Sequence, residues 1–300
     1  MTLDILLVNP VFLAQNQAER ETMSPYFPLG LLYLAAFLRE QGYLVDIFDG
    51  TFLDDPQDFE AALRRHNPRA VGISVVGPNR DMALVLADMA QQFGAAVILG
   101  GPDPTSSPAT YLGEPFVDYV IHHEGELTLS ELLQVLSDPS ADKSTLAGIP
   151  GLAFRSDSGE YVINPRRPYI LNIDELPLPA RDMVDLDQYL QIWREENGYA
   201  SLTISISRGC PYGCEWCQDS VHGPQYRQRS PQSVVAEVKQ LMSRYEIDRL
   251  RVVDDVDGID LEWLEAWADC AEDDGAVLPF EALNDLQRQD IPMLDVRDSL

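Results

Sequence analysis

Apolar and polar positions along residues 1–137 alternate between two patterns. Short aliphatic and β-branched runs at 5–8, 44–48, 70–75, 96–99 and 119–121 predict buried strands. Between them, apolar residues recurring at three- and four-residue intervals predict helices over 29–41, 56–65, 80–93 and 127–137. Strand–helix alternation of this kind predicts an α/β fold, a doubly wound parallel sheet of five strands. Ligands of such sheets sit beyond the carboxyl ends of the strands. The residues there are Asn9-Pro10, Ser74-Val75-Val76-Gly77, Gly100-Gly101-Pro102 and His123-Glu124-Gly125-Glu126. Paired glycines at a strand end allow either close backbone approach to a ligand or simply a tight turn. Adjacent positions on an extended segment face opposite ways, so His122 and His123 are not expected to point into one site.

The pattern then loosens, and residues 138–200 read as a connector between domain 1–137 and domain 201–300. Within it, Gly151-Leu152-Ala153-Phe154 and Tyr161-Val162-Ile163 predict a small hairpin around Ser156-Asp157-Ser158-Gly159. The prolines of Leu176-Pro177-Leu178-Pro179 forbid a regular helix there. From Ser201 the strand–helix alternation resumes. Leu202 to Ile206 predicts a buried strand, and Ser230 is placed as the N-cap of a helix running to about Tyr245 with Pro231 in its first position. A strand at 249–253 ends in Asp254-Asp255, and a helix at 260–271 and a strand near 277–281 follow. Residues 286–300 do not read as a packed unit. At about 30 residues per unit, the hundred residues from Ser201 hold about three strand–helix units.

Composition narrows the function classes. Three hundred residues with 45% hydrophobic content suffice for two domains with proper cores, and no run of eighteen apolar residues is present to cross a membrane. The start, Met1-Thr2-Leu3-Asp4, has no basic region or cleavage site and reads as a strand rather than a signal peptide, which predicts a cytoplasmic, reducing location. A net charge of −28 argues against binding a nucleic-acid backbone. It fits either a saline habitat or simple solubility. The acidity concentrates at the end: residues 254–300 carry fifteen Asp or Glu against two Arg.

The most specific chemistry lies in Ser207-Arg208-Gly209-Cys210-Pro211-Tyr212-Gly213-Cys214-Glu215-Trp216-Cys217, just after the strand at 202–206. Three of the chain's four cysteines crowd this loop, which argues against a disulfide framework. Three thiolates on one loop can hold three irons of a four-iron cluster and leave the fourth iron open. A structural zinc site is the competitor, with His222 as fourth ligand, although no second C-x2-C hairpin is present. A ferredoxin-type carrier needs a fourth cysteine nearby, and Cys270 lies instead in an acidic amphipathic segment where a buried structural role is the default.

The cysteine loop, with Arg-Gly before it and Trp216 before its last cysteine, resembles that of radical S-adenosylmethionine enzymes. That resemblance implies that Cys210, Cys214 and Cys217 ligate a [4Fe-4S] cluster whose open iron chelates S-adenosylmethionine for reductive cleavage to a 5′-deoxyadenosyl radical. The first half is similar to the cobalamin-binding domain that precedes many such cores. It carries Pro28-Leu29-Gly30 opening a first helix, Gly100-Gly101-Pro102-Asp103 after the fourth strand, and Glu124-Gly125-Glu126 after the fifth. On that resemblance the cofactor-binding residues are Ser74, Gly100, Gly101, Pro102, Glu124, Gly125, Glu126, Trp216, Asp254 and Asp255. Asp254 and Asp255 stand either beside the amino group of S-adenosylmethionine or merely at the opening of a loop. Asp103 occupies a place where the family often has histidine, and Asp-x-His-x-x-Gly is absent, so the loop after the first strand offers cobalt no histidine.

The usual core is a barrel of six units, so 201–300 is expected to form about half a radical S-adenosylmethionine β/α barrel. The function implied is radical methylation or rearrangement at an unactivated carbon or phosphorus centre of a small molecule. It would be served by a reducing partner such as flavodoxin or ferredoxin, with a second chain as a possible completion of the barrel. Two further readings stand beside it: a non-catalytic iron–sulfur or cobalamin-binding protein or electron carrier, and a zinc-stapled interaction protein.

Overall fold

A computed structural model describes residues 2–15, 24–138, 140, 143–215, 217, 221–255 and 260–282. Its larger sheet begins with the parallel strands β1 (Ile5–Asn9), β2 (Val45–Asp49), β3 (Ala70–Ser74), β4 (Ala96–Gly100) and β5 (Tyr119–Ile121). Their crossovers carry α1 (Leu29–Glu40), α2 (Gln57–His66), α3 (Arg80–Phe93) and the short α4 (Pro102–Ser106) and α5 (Pro108–Leu112). The helix α6 (Glu126–Ser137) follows β5. Burial of both faces explains why β1 is apolar from Ile5 to Val8. Leu6 and Val8 pack with Phe59, Leu63 and Leu86 on one face, while Ile5 and Leu7 pack with Leu31, Ala35 and Leu132 on the other.

The sheet has seven strands, not five. In the order β2-β1-β3-β4-β5-β6-β7, the hairpin expected in the connector, β6 (Leu152–Arg155) and β7 (Tyr161–Ile163), continues the sheet antiparallel to β5. A three-residue β5 would otherwise expose its backbone along that edge, and β6 is buried on both faces, Leu152 and Phe154 in one core cluster and Ala153 in the other. The boundary at 137/138 therefore falls inside the first structural unit. The rest of the connector also holds α7 (Leu186–Asn197), which no sequence expectation covered.

In the second half, β8 (Ser201–Ile204) pairs parallel with β11 (Arg249–Val252), and β11 pairs parallel with β12 (Phe280–Glu281). Helices α8 (Pro231–Arg244) and α9 (Leu261–Asp274) lie in the crossovers. The expected cap of α8 is present, Ser230 accepting from Ser233 N with Pro231 in the first turn. This open sheet with its helices is the partial β/α barrel, and its apolar residues Leu202, Ile204, Leu250 and Val252 pack on Val234, Val238 and Trp267. A two-residue antiparallel ladder, β9 (Ser207–Arg208) with β10 (Arg227–Gln228), forms the stem of the cysteine loop.

The two halves share buried contacts. Phe27 and Leu32 belong to the second core, and Tyr189 of α7 donates to Asp49 Oδ2 at 2.7 Å at the end of β2. No helix among the described residues is long and apolar enough to cross a membrane. Trp216 and residues 286–300 lie outside the described residues.

Candidate functional site

Both sheets present strand ends to a single cavity of about 390 Å³, a size that holds a small molecule or part of a larger cofactor. From the first sheet it is lined by Leu7, Gly72 to Ser74, Ile98 to Pro102, and Ile121 with His123 to Glu126; α1 adds Leu29 to Leu31, Tyr33 and Leu34. From the second half come Ser205, Arg208, Val221, His222, Val253 and Asp255. The strand order places β1 beside β3, which is the switch point where doubly wound sheets bind ligands.

Of the expected cofactor residues, Ser74, Gly100, Gly101, Pro102, Glu124, Gly125, Glu126 and Asp255 all line this cavity. The reason for Gly101 is backbone geometry. Its φ is +103°, and a Cβ there would fall 2.7 Å from the Val75 carbonyl oxygen, so only glycine permits β3 and the turn after β4 to close together. Asp103, just beyond, pairs with Arg80 Nη2 at 3.1 Å. His123 faces the cavity and His122 does not. The alternation argument for this pair holds only in outcome, since His123 has φ +67° and the two rings meet edge to face at 5.1 Å. Burial pushes the His122 imidazole down to about 4.

Asp254 and Asp255 divide the two alternatives between them. Asp255 borders the cavity, whereas Asp254 is buried and accepts from Ser205 Oγ at 2.8 Å and from Ile206 N at 3.1 Å. It pins the corner between β8 and the cysteine loop. Burial raises its carboxyl from 3.8 to about 6, against the opposing hydrogen bonds. A carboxyl with a raised folded value favours the protonated chain, so its contribution to stability declines as pH rises from 3.8 to about 6. Asp254→Asn removes that titration. The unfolding free energy of the variant relative to the parent is expected to shift in the variant's favour across this window, as read by urea unfolding at several pH values.

Glu124 and Glu126 are directed at arginines. Glu124 Oε1 accepts from Arg227 Nη1 at 2.6 Å and from Arg208 Nη1 at 3.2 Å, and its Oε2 accepts from Ile170 N at 3.0 Å. Glu126 Oε1 accepts from Arg208 Nη2 at 2.7 Å. Burial works against the Glu124 charge, but the surrounding donors outweigh it and hold the carboxyl at about 2. His222, the fourth ligand of the zinc alternative, stands with Nδ1 3.6 Å from Glu124 Oε1.

The cysteine loop rises from this edge of the cavity, with the lining residues Arg208 and His222 on either side of it. None of the three cysteines is in a disulfide; Cys210 is buried and Cys214 and Cys217 are exposed. Cys217 N donates to Cys214 O, a turn that draws the last two together, and Cys210 N donates to Gly223 O. Among the described residues no three His, Cys, Asp or Glu side chains converge on a single metal ion. A four-iron cluster makes a different demand, one thiolate on each of three irons, and three cysteines on one loop suit it.

Two glycines of the loop carry steric roles that spacing did not single out. Gly209 has φ +83° with its Cβ position 2.3 Å from Gln225 O, and Gly223 has φ +63° with its Cβ position 1.9 Å from Tyr169 Oη. Only the Arg-Gly dipeptide before the first cysteine pointed to either.

Comparison with known proteins agrees with this layout. Residues 21–133 match the B12 binding domain family. An uncharacterized methyltransferase of Pyrococcus horikoshii is 33% identical over 256 residues, covering 84% of this chain and 53% of that protein. The cytidylyl-2-hydroxyethylphosphonate methyltransferase of Streptomyces wedmorensis is 28% identical, covering 84% of this chain and 54% of its own. The chain thus spans about half the length of these relatives. Among solved structures, the cobalamin-dependent S-adenosylmethionine radical enzyme OxsB with aqua-cobalamin and S-adenosylmethionine bound matches with a TM-score of 0.77 at 20% identity, over 93% of this chain and 38% of that one. The radical S-adenosylmethionine methyltransferase TsrM from Kitasatospora setae matches with a TM-score of 0.67 at 22% identity, over 91% of this chain and 52% of its own. The resemblance read from the sequence holds in both halves: a B12-binding-type domain followed by a partial radical S-adenosylmethionine fold.

Proposed function

We propose that this chain carries the cluster and cobalamin halves of a radical S-adenosylmethionine enzyme that starts methylation or rearrangement of a small molecule. The observation that carries this reading is the cavity between the two sheets, with the loop that bears the three cysteines rising from its edge. Cys210, Cys214 and Cys217 would hold a [4Fe-4S] cluster, whose bound form supplies one electron for cleaving the sulfonium of S-adenosylmethionine. Asp255, which lines the cavity, would accept a hydrogen bond from that ligand's amino group. Asp254, occupied by Ser205 and Ile206, serves instead to hold the corner. Ser74, Gly100, Gly101, Pro102 and Gly125 would border cobalamin over the apolar floor made by Leu7, Ile98 and Leu129. Glu124 and Glu126, which also line the cavity, would act on the cofactors in part through Arg208 and, for Glu124, Arg227. Reduction of the cluster would fall to a flavodoxin- or ferredoxin-like partner, and a second chain stands as a way to complete the barrel.

Anaerobic reconstitution with iron and sulfide tests the assignment. Cluster assembly is expected to give absorbance near about 400 nm, from thiolate-ligated iron, with loss of iron on Cys210→Ala, Cys214→Ala or Cys217→Ala. Tight zinc without sulfide would favour the zinc-stapled reading. Formation of 5′-deoxyadenosine from S-adenosylmethionine under dithionite separates enzyme from electron carrier, and cobalamin retained on purification tests the first domain.

A further inference from the structure

The stem of the cysteine loop contains a conflict that its own residues do not resolve. It has two paired positions, Ser207 with Gln228 and Arg208 with Arg227, beneath the loop spanning residues 209–226. A ladder this short is marginal by itself, and closing a long loop adds an entropic cost that grows with its length. The second pair sets two guanidiniums directly opposite each other, an arrangement that destabilises a β pair. Both arginines are buried, Arg208 at 8% and Arg227 at 5% exposure. Burial without a counter-charge is a far larger penalty than the two ladder positions can offset.

The counter-charge arrives from the other half of the molecule. We infer that the cysteine loop is closed by the first domain: Glu124, in the loop after β5, supplies the carboxylate that allows the β9–β10 stem to form. One oxygen of Glu124 accepts from both arginines, and Glu126, two residues on, takes a second donor of Arg208. Arg227 in turn donates to the carbonyls of Gln225 and His222, so the same guanidinium that meets Glu124 also fixes the returning limb of the loop. Glu124 is itself held by Ile170 N, which leaves the stem registered against the edge of the cavity. Glu124 and Glu126 are therefore positioning residues. They set where the three thiols stand relative to the ligand space, and they make formation of the cysteine loop depend on docking of the two halves.

The cluster part of this inference rests on the proposed function; the stem closure does not. The test uses the full chain as Glu124→Gln and Glu126→Gln, with hydrogen–deuterium exchange of the metal-free proteins and iron and sulfide content after anaerobic reconstitution. Glu124→Gln is expected to speed exchange over 207–210 and 223–228 by at least about tenfold, equivalent to about 1.4 kcal/mol of local opening, with β8 and the first sheet unchanged. Cluster loading should fall with it, and the EPR spectrum of the reduced cluster should broaden. Glu126→Gln should show a smaller rise over the same segments, because Arg208 keeps Glu124. Exchange at parental rates in both variants would overturn the inference, since the stem would then close unaided. If Glu124→Gln unfolds globally, Glu126→Gln decides, and no local rise there overturns it. A parent protein that takes up no cluster would sink the proposed function while leaving the exchange result to judge stem closure alone.

Discussion

Glu237→Ala is expected to lower the unfolding free energy by about 3–5 kcal/mol, the range for breaking a buried ion pair from one side. Glu237 lies on α8 at 1% exposure and accepts from Arg181 and from Arg229, both of them buried. Burial alone would raise its carboxyl, and the two guanidiniums bring it below the ordinary value instead. Removing it leaves two buried cations without the carboxylate that both of them pair with. The damage should also reach the site. Arg181 donates to the carbonyl of Thr203 at 2.9 Å and Arg229 to that of Ser205 at 3.0 Å, so the triad grips the strand that feeds the cysteine loop. Urea unfolding with an unchanged slope measures the loss. Glu246→Ala is the matched control, because that side chain is 96% exposed and should leave the midpoint where it was.

The second large effect is expected from Gly209→Ala, one position before the first cysteine. An L-residue in the left-handed region costs about 1–2 kcal/mol by itself, and here the added carbon would also lie 2.3 Å from Gln225 O and 2.8 Å from Gly223 O. Both are main-chain atoms of the returning limb, so relief requires the two limbs of the loop to separate. The expected result is a folded protein that no longer assembles its cluster, seen as parental far-ultraviolet circular dichroism with iron and sulfide lost on reconstitution. Gly213→Ala is the control within the same loop. Among the described residues no heavy atom lies within 4 Å of its Cβ position, and loading should be retained.

Much of the fold was legible because its signals are local. The five parallel strands, the long helices α1, α2, α3 and α6 and the capped helix after Ser230 follow from periodicity and end chemistry within windows of ten or fifteen residues, whereas the short α4 and α5 between β4 and β5 had no such signal. Helix α7 was legible too, in the spacing of Leu186, Tyr189, Leu190 and Trp193 after the N-cap Asp185, but it was overshadowed by the prolines just before it. The hairpin at 152–163 was read as a hairpin, but its assignment to the first sheet was not legible. Strand content does not say which edge a hairpin will cover, and that depends on β5 having one open side.

The sequence by itself determined the α/β order, the two-part plan and the three cysteines at C-x3-C-x2-C, because each is written in neighbouring residues. Only the tertiary structure decided what the charged residues near that motif do. Asp254 and Asp255 are adjacent in the chain, yet one is spent on the backbone of Ile206 and the other borders the cavity. Glu124 was placed correctly at a strand end, but its partners lie 84 and 103 residues away. A buried charge takes its role from whichever opposite charge the fold brings within about 3 Å, since Coulomb energy depends on distance in space and not along the chain. In this protein those partners come from the other half of the molecule, and they close the loop that the cysteines made conspicuous.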